Sequence, residues 1–193
     1  MKILVLDSLP TAKVDKVSFT LNPPTREYIE HSNGILDVFK EVLPDAELVF
    51  AHIACFTRDY YGCLFNHQNF NKALKWAATK GNFDAIYAQA QFYCPEKYKD
   101  HPDIVKRYQK EHKETKKLIR LLDIPIICPA ENSSDEKVNM VCSPLLGSNN
   151  VEYVSSVKNK WAGTVTVKSK KYPYTSELSV LRVAQILNPS RSK

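Results

Sequence analysis

Short, uniformly apolar runs recur along this chain, and most are followed by a stretch patterned for a helix. The first run is KILVL at residues 2–6, which ends abruptly at Asp7. A run with no polar alternation fits a strand buried on both faces, and such strands belong to parallel sheets covered by helices. Further strands are expected at 47–53 (ELVFAHI), 84–88 (DAIYA), 124–128 (IPIIC) and 151–157. The alternating GTVTVK at 163–168 reads as an exposed strand. Helices are expected from about His31 to the stop at Pro44, over 69–80 with Gly81 ending the element, over 103–122, and from about Ser176 to Leu187. Residues 9–30 hold three prolines and read as a loop. The alternation implies an α/β fold with a mainly parallel central sheet flanked by helices. A length of 193 residues suits a single compact domain, 1–193, with 188–193 as a flexible tail.

Composition narrows the class further. Apolar residues make up 44% and charged residues 25%, which argues against disorder and against a coiled coil. No apolar run is long enough to span a bilayer, so no membrane partner is expected. MKILVLDS meets a charge too soon for an export signal and reads as the first strand. The cysteines, at 55, 63, 94, 128 and 142, are odd in number and form no CxxC, so reduced thiols and a cytoplasmic location are expected. Cys55, Cys63 and His67 match no zinc spacing. No metal and no cofactor are expected. The net charge of +6 concentrates in Lys97–Arg120 and Lys158–Lys171. The first stretch also holds Glu96, Asp100, Asp103, Glu111 and Glu114, and reads as a solvated helix face with i,i+4 pairs. No nucleic-acid partner is therefore expected. His52, His67, His101 and His112 are read as surface or packing residues.

In parallel sheets, sites form outside the carboxyl ends of the strands. That rule selects Asp7 at the end of the first strand, His31 at the start of a helix, Asn132 in the loop after the fourth strand, and Ser176 opening the last helix. Together they form a coherent set. A serine hydroxyl attacks well only when a base takes its proton. A histidine does this near neutral pH, and a carboxylate fixes its tautomer and stabilises the imidazolium. A side-chain amide can donate to an oxyanion, and loss of one such donor raises the barrier by about 3–4 kcal/mol.

These residues resemble the subtilisin-like serine proteases, whose triad runs Asp, His, Ser along the chain. LVLDS (4–8) resembles the family's aspartate segment, and His31-Ser32-Asn33-Gly34-Ile35 falls where the family has HGTHVAG. LPDAEL (43–48) is similar to GVAPxAxL, NKALKWA (71–77) to the helix ending ALxWA, and FDAIYAQA to DVINMSLG. IPIICPAEN (124–132) resembles xPVVAAAGN, VEYVSSV (151–157) fits xVIxVGAV, and YTSELSVLRVAQIL (174–187) resembles GTSMAAPHVAGAAAL. The resemblance implies a three-layer subtilisin-like fold and a serine endopeptidase acting on a protein or peptide. It implies Ser176 as nucleophile, His31 as base, Asp7 as orienting acid and Asn132 as oxyanion donor. It also implies substrate binding by Gln89, Ala90 and Gln91 through strand addition, with Glu131 lining the specificity pocket. The chain departs from the pattern in having five glycines. Tyr174 and Ser32 stand at glycine positions, as does Glu131, which is expected to reshape the pocket. The chain is shorter than the family's catalytic domain, with no propeptide and no calcium loop expected. A non-cleaving relative that binds a peptide or protein is the alternative these departures raise. A small α/β protein using its lysines on nucleic acid is a more distant one.

Overall fold

The computed structural model describes residues 1–53, 60–89, 100–130, 148–156 and 163–189. In chain order the elements are β1 (Lys2–Asp7), β2 (Asp15–Ser18), α1 (Arg26–Val42), β3 (Glu47–His52), α2 (Tyr60–Lys80), β4 (Ala85–Ala88), α3 (Pro102–Leu122), β5 (Ile126–Pro129), β6 (Val151–Ser155), β7 (Thr164–Thr166) and α4 (Thr175–Leu187). The strands form one seven-stranded sheet in the order β2-β3-β1-β4-β5-β6-β7. Every pairing is parallel. β1, buried from Ile3 to Asp7, lies in the interior of the sheet as its apolar run requires.

Side-chain parity along β1 separates two cores. Ile3 and Val5 pack with Ile35, Leu36 and Phe39 of α1 and with Leu178, Val180 and Val183 of α4. Leu4 and Leu6 pack with Phe70, Ala73 and Leu74 of α2 and with Leu118 and Ile119 of α3. The molecule is therefore three layers: α1 and α4, the sheet, then α2 and α3. Asp7 has the parity of Ile3 and Val5, so it belongs to the layer of α1 and α4.

Several expectations are corrected, among them the start of α2, which lies at Tyr60 rather than at 69. Residues 9–30 are not all loop, because they contain β2 and the start of α1. β2 is a four-residue edge strand, DKVS, with three exposed residues, so no apolar run announces it. α1 begins five residues before His31. Its first turn is polar and carries the exposed Arg26–Glu30 i,i+4 pair at 2.7 Å, which hydrophobic periodicity does not register. Of the i,i+4 pairing expected within α3, Thr115 Oγ1 donates to the Glu111 carbonyl at 2.9 Å and the charges of Lys117 and Lys110 act on Glu114, while the direct side-chain partners of both glutamates lie on α2. Glu111 bonds Asn71 of α2 at 2.7 Å and Glu114 pairs with Lys75 of α2 at 3.0 Å. Among the described residues no helix is long and apolar enough to cross a membrane.

Candidate active site at the carboxyl rim of the sheet

The chain leaves β1 toward β2 and β3 on one side and, later, toward β4 and the remaining strands on the other. The carboxyl end of β1 is thus the switch point where parallel sheets open a crevice. Asp7 ends β1 there, only 4% exposed. Its carbonyl accepts the Ile53 N–H at 3.1 Å, and the Leu6 carbonyl accepts the Gln89 N–H at 2.9 Å, so both neighbouring strands fix its backbone. α1 crosses the same layer with Ser32, Ile35, Leu36 and Phe39 buried. That stripe brings His31, beside Ser32, over the sheet end. His31 Nδ1 lies 3.0 Å from Asp7 Oδ2.

With a carboxylate as acceptor, Nδ1 carries the proton and Nε2 is left as the proton acceptor. The hydrogen bond to Asp7 is the main influence raising the His31 pKa above 6.5. Burial opposes it, and the charges of Asp7 and Glu177 add to it. The charge of Glu177, in the first turn of α4, acts in the same direction.

Ser176 is the second residue of α4, half-buried, and its N–H is one of the helix-start donors with no intrahelical partner. The helix start is anchored on both sides. The buried Thr175 hydroxyl donates to the Ala130 carbonyl just past β5 at 2.5 Å. Glu177 Oε2 accepts the Tyr174 N–H at 3.2 Å. Thr175 thus fixes the serine helix to the same carboxyl rim. The structure brings Asp7 and His31 into contact, and α4 packs on the same face of the sheet as α1. Among the described residues the Ser176 hydroxyl makes no hydrogen bond to His31.

Gln89 follows β4 on this rim, but its N–H already serves the ladder to Leu6, so that group cannot pair with an added strand. Its side-chain Oε1 instead accepts from the Tyr87 hydroxyl at 3.0 Å. Tyr87 is the residue that motif reading passed over. It is fully buried, edge-on to Phe39 at 5.9 Å, with burial first and then the charge of Asp7 pushing its phenol well above 10.0. The i,i+2 spacing of Tyr87 and Gln89 on a strand was the available signal. Asn132, Glu131, Ala90 and Gln91 lie outside the described residues.

The remaining candidates fall away from the rim or are chemically quiet. His52 ends β3 on the rim itself, opposite Asp7, but is buried with its Nε2 2.9 Å from the Asn22 carbonyl, and on the other face the buried His67 Nε2–H donates to Thr115 Oγ1 at 2.8 Å. Burial pushes the Cys128 thiol up to about 12, which makes it an unreactive packing group. Among the described residues no group of three or more His, Cys, Asp and Glu could hold a metal ion. Cys55 lies outside the described residues. Comparison with protein-family profiles, with curated proteins and with solved structures finds no match to this chain.

Proposed function

We propose that this chain is a serine endopeptidase of subtilisin-like type. The observation that carries the proposal is the buried Asp7 bonded at 3.0 Å to His31 at the switch point, on the sheet face that also holds the helix of Ser176. Ser176 Oγ attacks the scissile carbonyl while His31 Nε2 takes its proton. His31 then returns that proton to the leaving amine, and water repeats the sequence on the acyl-enzyme. Asp7 keeps the ring in the required tautomer and stabilises the imidazolium. The Ser176 N–H and Asn132 receive the oxyanion. An extended peptide would lie along Ala90 and Gln91, beyond the N–H that β1 already uses. Glu131 would favour a basic residue at the cleavage site, and a peptide library showing no preference for Arg or Lys would remove that assignment. We place the protein in the cytoplasm on its unpaired cysteine count.

A fluorophosphonate probe tests the reaction directly. Labelling is expected in the wild type and absent in Ser176→Ala, with the adduct mapped to Ser176. A folded wild type that stays unlabelled would remove the peptidase reading. The second reading is a peptide-binding protein of the same architecture that does not cut. It draws on the missing Ser176–His31 hydrogen bond and on Tyr174, 60% exposed at the start of α4. Binding of extended peptides without labelling or cleavage is the result it requires.

A further inference from the structure

The outer helix layer, across the sheet from Asp7 and His31, carries a one-sided array of cations. α3 holds seven basic residues (Lys106, Arg107, Lys110, Lys113, Lys116, Lys117 and Arg120), all exposed. Five of them, Lys106, Lys110, Lys113, Lys117 and Arg120, recur at steps of four and three. At 3.6 residues per turn they fall within about 80° of arc and run about 21 Å along the helix. The buried residues Ile104, Tyr108, Thr115, Leu118 and Ile119 centre on the opposite side.

The acidic residues of the helix neutralise this stripe only in part, Glu114 being the one that feels the charges of Lys117 and Lys110. Glu111 turns inward to Asn71 and Gln68, and Glu114 pairs with Lys75 on α2. Asp103 lies in the first turn, before the stripe begins. Among the described residues none of the seven cations makes an ion pair. α3 therefore sorts its charges, with carboxylates against α2 and cations toward solvent.

We propose that this face of α3 docks on the phosphate backbone of a nucleic-acid duplex, without reading its sequence. A duplex offers one negative charge per about 1.7 Å of axis, dense enough to engage every cation of a straight array. A single strand is the poorer fit, because such sites add aromatic platforms for the bases, and the exposed face of α3 has none. An anionic membrane is also poorer, since interfacial helices pair their cations with a broad apolar face turned to the lipid, and the apolar face of α3 is buried in the core. The proposal is independent of the chemistry assigned to the rim, which lies in the other helix layer.

The test is binding of the full chain to labelled 20-base-pair DNA and RNA duplexes of mixed sequence, measured by anisotropy from 50 to 200 mM salt. With five phosphates neutralised, the slope of log K against log salt is expected near −4.5, roughly a 500-fold loss over that range. The duplex that binds more tightly names the natural class. Lys110→Gln/Lys113→Gln/Lys117→Gln, exposed changes between helix-favouring residues, should flatten the slope by about 3 and weaken binding at 50 mM salt at least about tenfold. Lys40→Gln/Lys168→Gln/Lys170→Gln removes the same charge away from α3 and should leave the slope nearly unchanged. No duplex binding at 50 mM salt would overturn the proposal. So would equal effects of the two triple variants, or tighter binding to single strands or to phosphatidylserine vesicles. Fluorophosphonate labelling of the α3 variant is expected to match the wild type.

Discussion

A buried carboxylate needs a partner, and Asp7 has one in the His31 ring 3.0 Å away. Replacing Asp7 with Asn keeps the shape of the side chain but lets the ring settle in the wrong tautomer. In the proposed reaction this should slow fluorophosphonate labelling by about 10⁴-fold. It should also move the His31 titration to lower pH, because the hydrogen bond that raises it is gone. Histidine NMR titration checks the second outcome independently of activity. The sign for stability follows from the same shift. A His raised above 6.5 in the folded state contributes stability that is complete below 6.5 and is lost as pH rises through the folded value. The difference in urea midpoint between wild type and Asp7→Asn should therefore narrow from acid to alkaline pH.

At the scale of elements, α4 matters for where it starts. Thr175→Val keeps the volume but leaves the Ala130 carbonyl without its hydroxyl donor, at a cost of about 1–3 kcal/mol. Urea unfolding checks that figure. Labelling of Ser176 should fall further than the unfolded fraction explains, because the first turn of α4 loses its tie to β5. Elements with an apolar signature were legible from sequence. β1, β3 and β4 showed themselves as unbroken runs, and α3 and α4 appeared within a residue of where they lie. β2 was hidden because an edge strand of DKVS has little to bury, and the polar first turn of α1 was hidden for the same reason. Of the candidate site, Asp7, His31 and Ser176 stood out through chemistry and strand ends, and the structure joins the first two. Tyr87 did not, because a tyrosine in an apolar strand looks like packing until its hydroxyl finds Gln89. The charge sorting on α3 was equally hidden, since spacing alone does not say which neighbour a glutamate turns to.

Across the whole molecule, the two cores give the sheet different acid tolerance on its two sides. Between α2 and α3, His67 donates to Thr115, whose hydroxyl lies 2.7 Å from Asn71 Oδ1, and its ring sits 4.9 Å from that of His112. Burial, and secondarily the charge of His112, push His67 from 6.5 to about 3. The unfolded chain then binds a proton that the folded chain refuses, so stability is full above 6.5 and falls as pH drops toward 3. Between pH 7 and pH 5 this one group should remove about 2 kcal/mol. Urea titrations at the two pH values should show that loss in wild type and a smaller one in His67→Gln.

The wide separation of Ser176 from Asp7 and His31 along the chain has a consequence during biosynthesis. Polypeptides are made from the amino end, so a ribosome-bound intermediate gains the acid and the base early, on β1 and α1, and the nucleophile only when α4 is translated. Under the proposed reaction, the growing polypeptide is inert toward itself and its neighbours until that helix docks. A product stalled before residue 175 keeps its proton relay and has nothing to activate.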